Sequence, residues 1–254
     1  MNTRPFISRR TKANPTNAVG NQVQILEKSV KRAQKRWQSK RLPMGHPIAM
    51  TPAEHETRLR QQALEQVHYG NFDAALSLFN RLLLLNPSSA RDYNNRGLVY
   101  FQGGRMVEAI ADYNRALDIN PMLDSAYNNR ANYYAVQGQL LEAVLDYDAA
   151  LELNPENIRA WINQGITFRD MQMYDRAIES FDAALALNCL QGHVYSERGR
   201  TYHLWGDWNC AIADYQRALD TIKHSESSAV DNNSTRLHLH VAAWMNELLS
   251  PLEV

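Results

Sequence analysis

Asp92-Tyr-Asn-Asn-Arg-Gly97 and, 34 residues on, Ala126-Tyr-Asn-Asn-Arg-Ala131 are one phrase written twice. Each is followed at the same distance by a second phrase, Ala109-Ile-Ala-Asp-Tyr113 and Ala143-Val-Leu-Asp-Tyr147, and then by Pro121 and Pro155. Self-similarity at a fixed step of this length marks a stack of supersecondary units, each too small to bury its own apolar face.

Carried outward, the same step reaches Pro87 upstream and Cys189 and Lys223 downstream. Five copies result, over residues 56–87, 90–121, 124–155, 158–189 and 192–223. Small residues recur at Ala63, Gly97, Ala131, Gly165 and Gly199, and twelve positions later at Ala75, Ala109, Ala143, Ala177 and Ala211. Four further on stand Phe79, Tyr113, Tyr147, Phe181 and Tyr215. A glycine separates the two halves at Gly70, Gly104, Gly138 and Gly206, with Gln172 in the fourth copy. Within a half the apolar residues step by three and four, as at Leu140, Ala143, Val144, Tyr147, Ala150 and Leu151, which predicts an amphipathic helix. Two helices joined at a glycine make an αα-hairpin. The paired small residues let the helices approach, the aromatics fill the gap towards the next hairpin, and proline stops the second helix.

The set Tyr93, Gly97, Tyr100, Gly104, Ala109, Tyr113, Ala116 and Pro121 resembles the tetratricopeptide repeat (TPR), and the resemblance extends over about Thr51 to Lys223. Departures lie at the ends: Leu59 and Gln66 stand where aromatics are usual, and the last two copies lack the proline. The resemblance implies an all-α, right-handed α-solenoid of five hairpins whose first helices line a concave face. It further implies a non-catalytic scaffold that holds an extended peptide or partner helix in that groove. The Tyr-Asn-Asn-Arg-Gly style resembles bacterial, especially cyanobacterial-type, members, some of which assist the assembly of membrane complexes.

The resemblance further implies that positions two, five, six, nine and thirteen of each copy face the groove. Position six carries Asn95, Asn129 and Asn163; position five adds Asn94 and Asn128, and position nine Asn132. A side-chain amide both donates and accepts, so one amide per copy forms a row that matches an extended peptide backbone. Arg91, Arg159, Arg169 and Arg200 would meet acidic groups, and Ile162, Ile166 and Phe101 apolar ones. The alternative is a polar, helix-tolerant surface copied with the repeat. The carboxylate clamp of some TPR co-chaperones is not expected. The corresponding positions hold Asn128, Asn132, Asn163, His193 and Glu197, or Asn94, Leu98, Asn129, Arg159 and Asn163, and neither set is cationic enough.

The chain has no net charge, but residues 1–50 hold eleven Lys and Arg against Glu27 alone, a net +10, and the remainder balances it at −10. Residues 1–20 read as disordered. Over 21–40, Val23, Leu26, Val30, Ala33 and Trp37 form one stripe, with Lys28, Lys31, Arg32, Lys35 and Arg36 on the remaining arc. This is a basic amphipathic helix. It suits a cap on the first hairpin, a solvated arm or a targeting segment. It equally suits a tether to nucleic acid, an anionic membrane or an acidic protein. After a linker, Thr51-Pro-Ala-Glu54 has the form of a helix start, with a cap, a first-turn proline and a returning carboxylate. Residues 224–254 read as a polar loop and a last helix whose Leu237, Val241, Trp244 and Leu248 cover the end of the stack.

Nothing in the chain has the form of a catalytic or cofactor site. The glycines follow the repeat rather than a phosphate loop, and no metal-ligand spacing or small-molecule site stands out. Cys189 and Cys210 occupy different places in the repeat, which fits a reducing compartment. A cytoplasmic protein is expected, with the periphery of a membrane as the alternative.

Overall fold

The computed structural model describes residues 51–225 and 232–249, with side chains at 51–222 and 235–249. Among the described residues the chain is helical throughout: α1 (Pro52–His68), α2 (Phe72–Leu85), α3 (Ala90–Gln102), α4 (Met106–Ile119), α5 (Asp124–Val136), α6 (Leu140–Leu153), α7 (Ile158–Asp170), α8 (Tyr174–Ala186), α9 (Gln191–Trp205), α10 (Trp208–Ser225) and α11 (Asn232–Leu249). The basic helix expected over 21–40, with Lys28, Lys31, Arg32, Lys35 and Arg36, lies outside the described residues.

Consecutive helices pair as five hairpins, α1–α2 to α9–α10, and each second helix packs on the first helix of the next hairpin. The first helices also touch one another, α3 on α5, α5 on α7 and α7 on α9, whereas second helices meet one another marginally at most. First helices therefore form the inner row and second helices the outer row of a right-handed α-solenoid.

The small residues do what the pattern requires. Ala63, Ala75, Ala109, Ala131, Ala143, Ala177 and Ala211 are completely buried. A Cβ added to Gly97 would stand 2.8 Å from the Tyr113 ring, and one added to Gly165 or Gly199 equally close to Phe181 or Tyr215. Those rings thus lie first against the small residue of their own hairpin, a contact that the expected role as filler towards the next hairpin had omitted. They also reach onward, since Phe181 shares a core cluster with Val194 of the fifth hairpin.

The connections divide into a regular set and an exception. Gly70, Gly104 and Gly138 adopt φ of 73–74°, and Gln172 takes the same left-handed turn at 60° against its side chain's preference. At the far ends Asn86, Asn120 and Asn154 are extended, as residues before proline must be. Their Oδ1 atoms accept from the backbone N–H of Ser88, Met122 and Glu156. Asn188 holds the same place without a following proline; it turns left-handed at φ 55°, and Leu190 follows at 50°.

Two devices close the stack. Arg60 of α1 clasps Asp92 of α3 through both carboxylate oxygens at 2.6 and 2.8 Å. Ser89 Oγ donates to the same carboxylate at 2.7 Å. Burial pushes the Asp92 carboxyl up, but the hydrogen bonds from Arg60 and Ser89 outweigh it and hold the group below its ordinary range. At the other end α11 packs against α9 and α10, where another first helix would stand. Val241 is fully buried there beside Tyr215 and Ala218, with Leu237, Trp244 and Leu248 packed around it.

Candidate protein-binding surface

Along the inner row, position two carries Arg91 and Arg159, both exposed. Position six carries Asn95, Asn129 and Asn163, each half-buried, and position nine Leu98, Asn132, Ile166 and Arg200, also half-buried. These residues share one face because they repeat every 34 positions on helices that lie side by side. The Asn95 side chain forms no hydrogen bond among the described residues, and Arg91 and Arg159 form no ion pair there.

Asn94 and Asn128 are a correction to the expected groove. Position five points between neighbouring first helices, and both side chains are buried. Asn94 Oδ1 accepts from Asn129 Nδ2 at 2.9 Å, linking the second hairpin to the third. Asn132 Oδ1 accepts from Asn163 Nδ2 at 2.9 Å and from Tyr147 Oη at 2.6 Å, linking the third to the fourth. Part of the amide row therefore staples the solenoid. The staple is irregular: Leu98 stands where Asn132 does one repeat later, so Tyr113 Oη is buried without the partner that Tyr147 has. Asn129 Oδ1 also accepts from Asn128 Nδ2 at 3.5 Å; since an amide has two donor hydrogens and an oxygen with two lone pairs, both Asn129 and Asn163 keep further capacity.

The arginines divide as well. Arg169 pairs with Glu197 at 2.7 Å across the fourth and fifth hairpins, so neither charge stands alone on the inner face. Arg200 reaches Glu247 of α11 at 3.3 Å and lies 5.5 Å from the Trp244 ring centroid, which ties it to the terminal helix. His203, beside Arg200 and Tyr215, is held below the ordinary histidine range by burial and then by the Arg200 charge.

A second ladder went unread in the sequence, although its spacing of 16 was there. Arg96 binds Asp112 through two nitrogens, each at 2.7 Å, and Asn80 of the preceding hairpin through the third. Arg130 does the same with Asp146 and Asn114, and Arg198 with Asp214 and Asp182. Each guanidinium also lies between two aromatic rings of its own helix: Tyr93 and Tyr100, Tyr127 and Tyr134, Tyr195 and Tyr202, at 5.4–5.9 Å from the centroids. Asp112, Asp146 and Asp214 of the second helices are thus half of a packed ion-pair system.

No helix among the described residues is long and apolar enough to cross a membrane. No cluster of His, Cys, Asp and Glu there has the form of a metal site.

Stacked helical hairpins with a polar inner face are the architecture of a protein-interaction scaffold. Models of the tetratricopeptide repeat match residues 59–131, 125–157 and 158–188, together about half of the chain. The chain belongs to the tetratricopeptide repeat family. Among solved structures it is similar to TTC0263, a thermophilic TPR protein of Thermus thermophilus, at 21% identity and a TM-score of 0.62, over 75% of this chain and 98% of that one. It is similar to PilF of Pseudomonas aeruginosa at 21% identity and a TM-score of 0.61, over 78% and 93%. YrrB, described as a TPR protein with an unusual peptide-binding site, matches at 20% identity and 0.55, over 77% and 98%. At such identities the likeness is one of fold. Among curated proteins nothing matches the chain.

Proposed function

We propose that this protein is a non-catalytic scaffold that binds an extended peptide of a partner protein along the inner row of first helices. The observation that supports this reading is the run of half-buried amides at one position of three successive hairpins, Asn95, Asn129 and Asn163, flanked by exposed Arg91 and Arg159. Backbone groups of an extended strand recur at a spacing that such amides can meet, and the two guanidiniums favour acidic side chains beside it. A similar fold in YrrB is described as carrying a peptide-binding site, which keeps the reading within what this architecture does. Holding a partner in this way suits a cytoplasmic assembly factor for a multiprotein complex. A partner helix in the same groove is the alternative occupant.

A random peptide library displayed on phage and panned on the full chain tests it. Enriched sequences should be acidic, and their affinity should fall about tenfold or more in the Arg91→Ala/Asn95→Ala/Arg159→Ala variant, as loss of several polar contacts requires. None of these three side chains forms a hydrogen bond or ion pair among the described residues, so the fold should be unaffected. Peptides that bind wild type and variant alike would remove the groove from consideration.

The basic segment carries a second reading, resting on its net charge of +10. As a tether to nucleic acid or anionic lipid it would bind with steep salt dependence, lost on deletion of residues 1–41.

A further inference from the structure

The fourth hairpin breaks the arginine ladder in a specific way. At the positions of Arg130 and Asp146 stand Gln164 and Ser180, both smaller and both buried. Ser180 Oγ donates to Gln164 Oε1 at 3.0 Å, and Gln164 Nε2 donates to Asp148 Oδ1 at 2.7 Å. Asp148 is the residue equivalent to Asn114 of the second hairpin, which accepts from Arg130 of the third. The aromatic walls are kept. Trp161 and Phe168 occupy the places of Tyr127 and Tyr134, and Trp161 is fixed by a hydrogen bond from Nε1 to the Pro155 carbonyl at 2.9 Å. Between these walls and the shortened Gln164 opens a cavity of about 520 Å³ that is also lined by Glu152, Glu179 and Arg176.

We propose that this cavity binds the guanidinium of an arginine side chain presented by a partner protein. The chain itself shows what such a space holds. In three other hairpins a guanidinium lies between two tyrosines at the places of Trp161 and Phe168 and reaches the residue equivalent to Asp148, which is Asn80, Asn114 or Asp182. The aspartate that holds it there through two nitrogens is replaced here by Ser180. The lining bears three carboxylates, Asp148, Glu152 and Glu179, against one cation. That cation, Arg176, stacks on Phe168 at 4.2 Å and forms no ion pair with the three among the described residues. A planar cation with several fixed donors suits two aromatic faces and a carboxylate better than a lysine ammonium does. Burial holds the Asp148 carboxyl above its ordinary range, only partly offset by Gln164 and Arg176. A bound cation would relieve that cost. The cavity lies among α6, α7 and α8, apart from the inner row of amides, so this site stands or falls independently of the groove.

The test follows the Trp161 indole resonance of the full-length protein, assigned with Trp161→Phe, during titration with Nα-acetyl-arginine amide. Saturable shifts are expected, with weaker binding of the lysine analogue and none of the neutral citrulline analogue. Asp148→Asn should weaken arginine binding about tenfold, the loss of one charge-assisted contact, while melting no lower than wild type. Gln164→Arg/Ser180→Asp rebuilds the ladder in place and should abolish binding. Equal shifts with arginine and citrulline, equal affinity for arginine and lysine, or binding unchanged in Asp148→Asn would overturn the proposal. The last criterion holds even where the double variant does not fold.

Discussion

In the third hairpin the space between Tyr127 and Tyr134 is filled by Arg130, which spans Asp146 and Asn114. In the fourth, Trp161 and Phe168 line a cavity and Gln164 stops at Asp148. The same hairpin has Gln172 in a glycine's turn and Asn188 without its proline. One repeat has thus been completed from within, and its neighbour departs from the plan at several unconnected points. The missing proline is shared with the fifth hairpin, but the broken ladder and the glycine-less turn set the fourth apart from its neighbours, and such local departures mark where a site is to be sought. The third hairpin shows what the plan is for, and the fourth shows what its relaxation makes room for.

The comparison can be broken by energetics. Arg130→Ala strands Asp146, which is nearly buried, and should cost about 2–3 kcal/mol in urea denaturation of the full chain. Gln164→Ala removes one neutral hydrogen bond, from Ser180, and one to the half-buried Asp148 carboxylate, and should cost less, about 1–2 kcal/mol. Equal losses would mean that the ladder contributes no more in the third hairpin than its substitute does in the fourth.

Smaller is the effect of the turn. Gln172→Gly releases a left-handed residue that every other hairpin gives to glycine, and should stabilise by about 1 kcal/mol. A neutral or destabilising result would place a favourable contact of Gln172 against that strain.

The smallest effect is in pH, and there the two ends of the comparison have opposite signs. Asp92 is held below the ordinary range, so its stabilising contribution is present above its unfolded pKa and lost as pH falls through the folded one. Asp92→Asn should therefore lower the melting temperature at pH 7, with the deficit closing in acid. Asp148 is held above the ordinary range, so its favourable contribution exists below the unfolded pKa and disappears as pH rises through the folded one. Asp148→Asn should raise the melting temperature at pH 7 and lose that advantage in acid. Parallel pH profiles for the two variants would contradict these environments.

The architecture was legible because its period is long, repeated and physically forced. Ala75, Gly97 and Tyr113 announce close-packed hairpins, and Pro87, Pro121 and Pro155 their ends. The stripe of Leu237, Val241, Trp244 and Leu248 likewise announces the terminal helix that covers the stack. Legibility failed where a side chain's role depends on the neighbouring repeat. Asn94 and Asn95 are adjacent in sequence, yet one is swallowed between helices and the other faces outward from the inner row. Only the relative rotation of neighbouring hairpins decides that. Arg130 and Asp146 sit 16 apart on different helices of one hairpin, a relation that helical periodicity does not display. The substitution pair Gln164 and Ser180 was visible as a departure from Arg and Asp, but its meaning required the aromatic walls to be seen flanking the gap.

The central claim is that the inner row of first helices is where a partner peptide lies. The most direct measurement is of the side-chain amide resonances of Asn95, Asn129 and Asn163 in the full-length protein, as a library-selected acidic peptide is added. All three should shift and saturate together, while amides of the second helices, such as Asn80 and Asn114, stay in place. Shifts confined to the second helices, with the inner amides unmoved at saturation, would contradict the account.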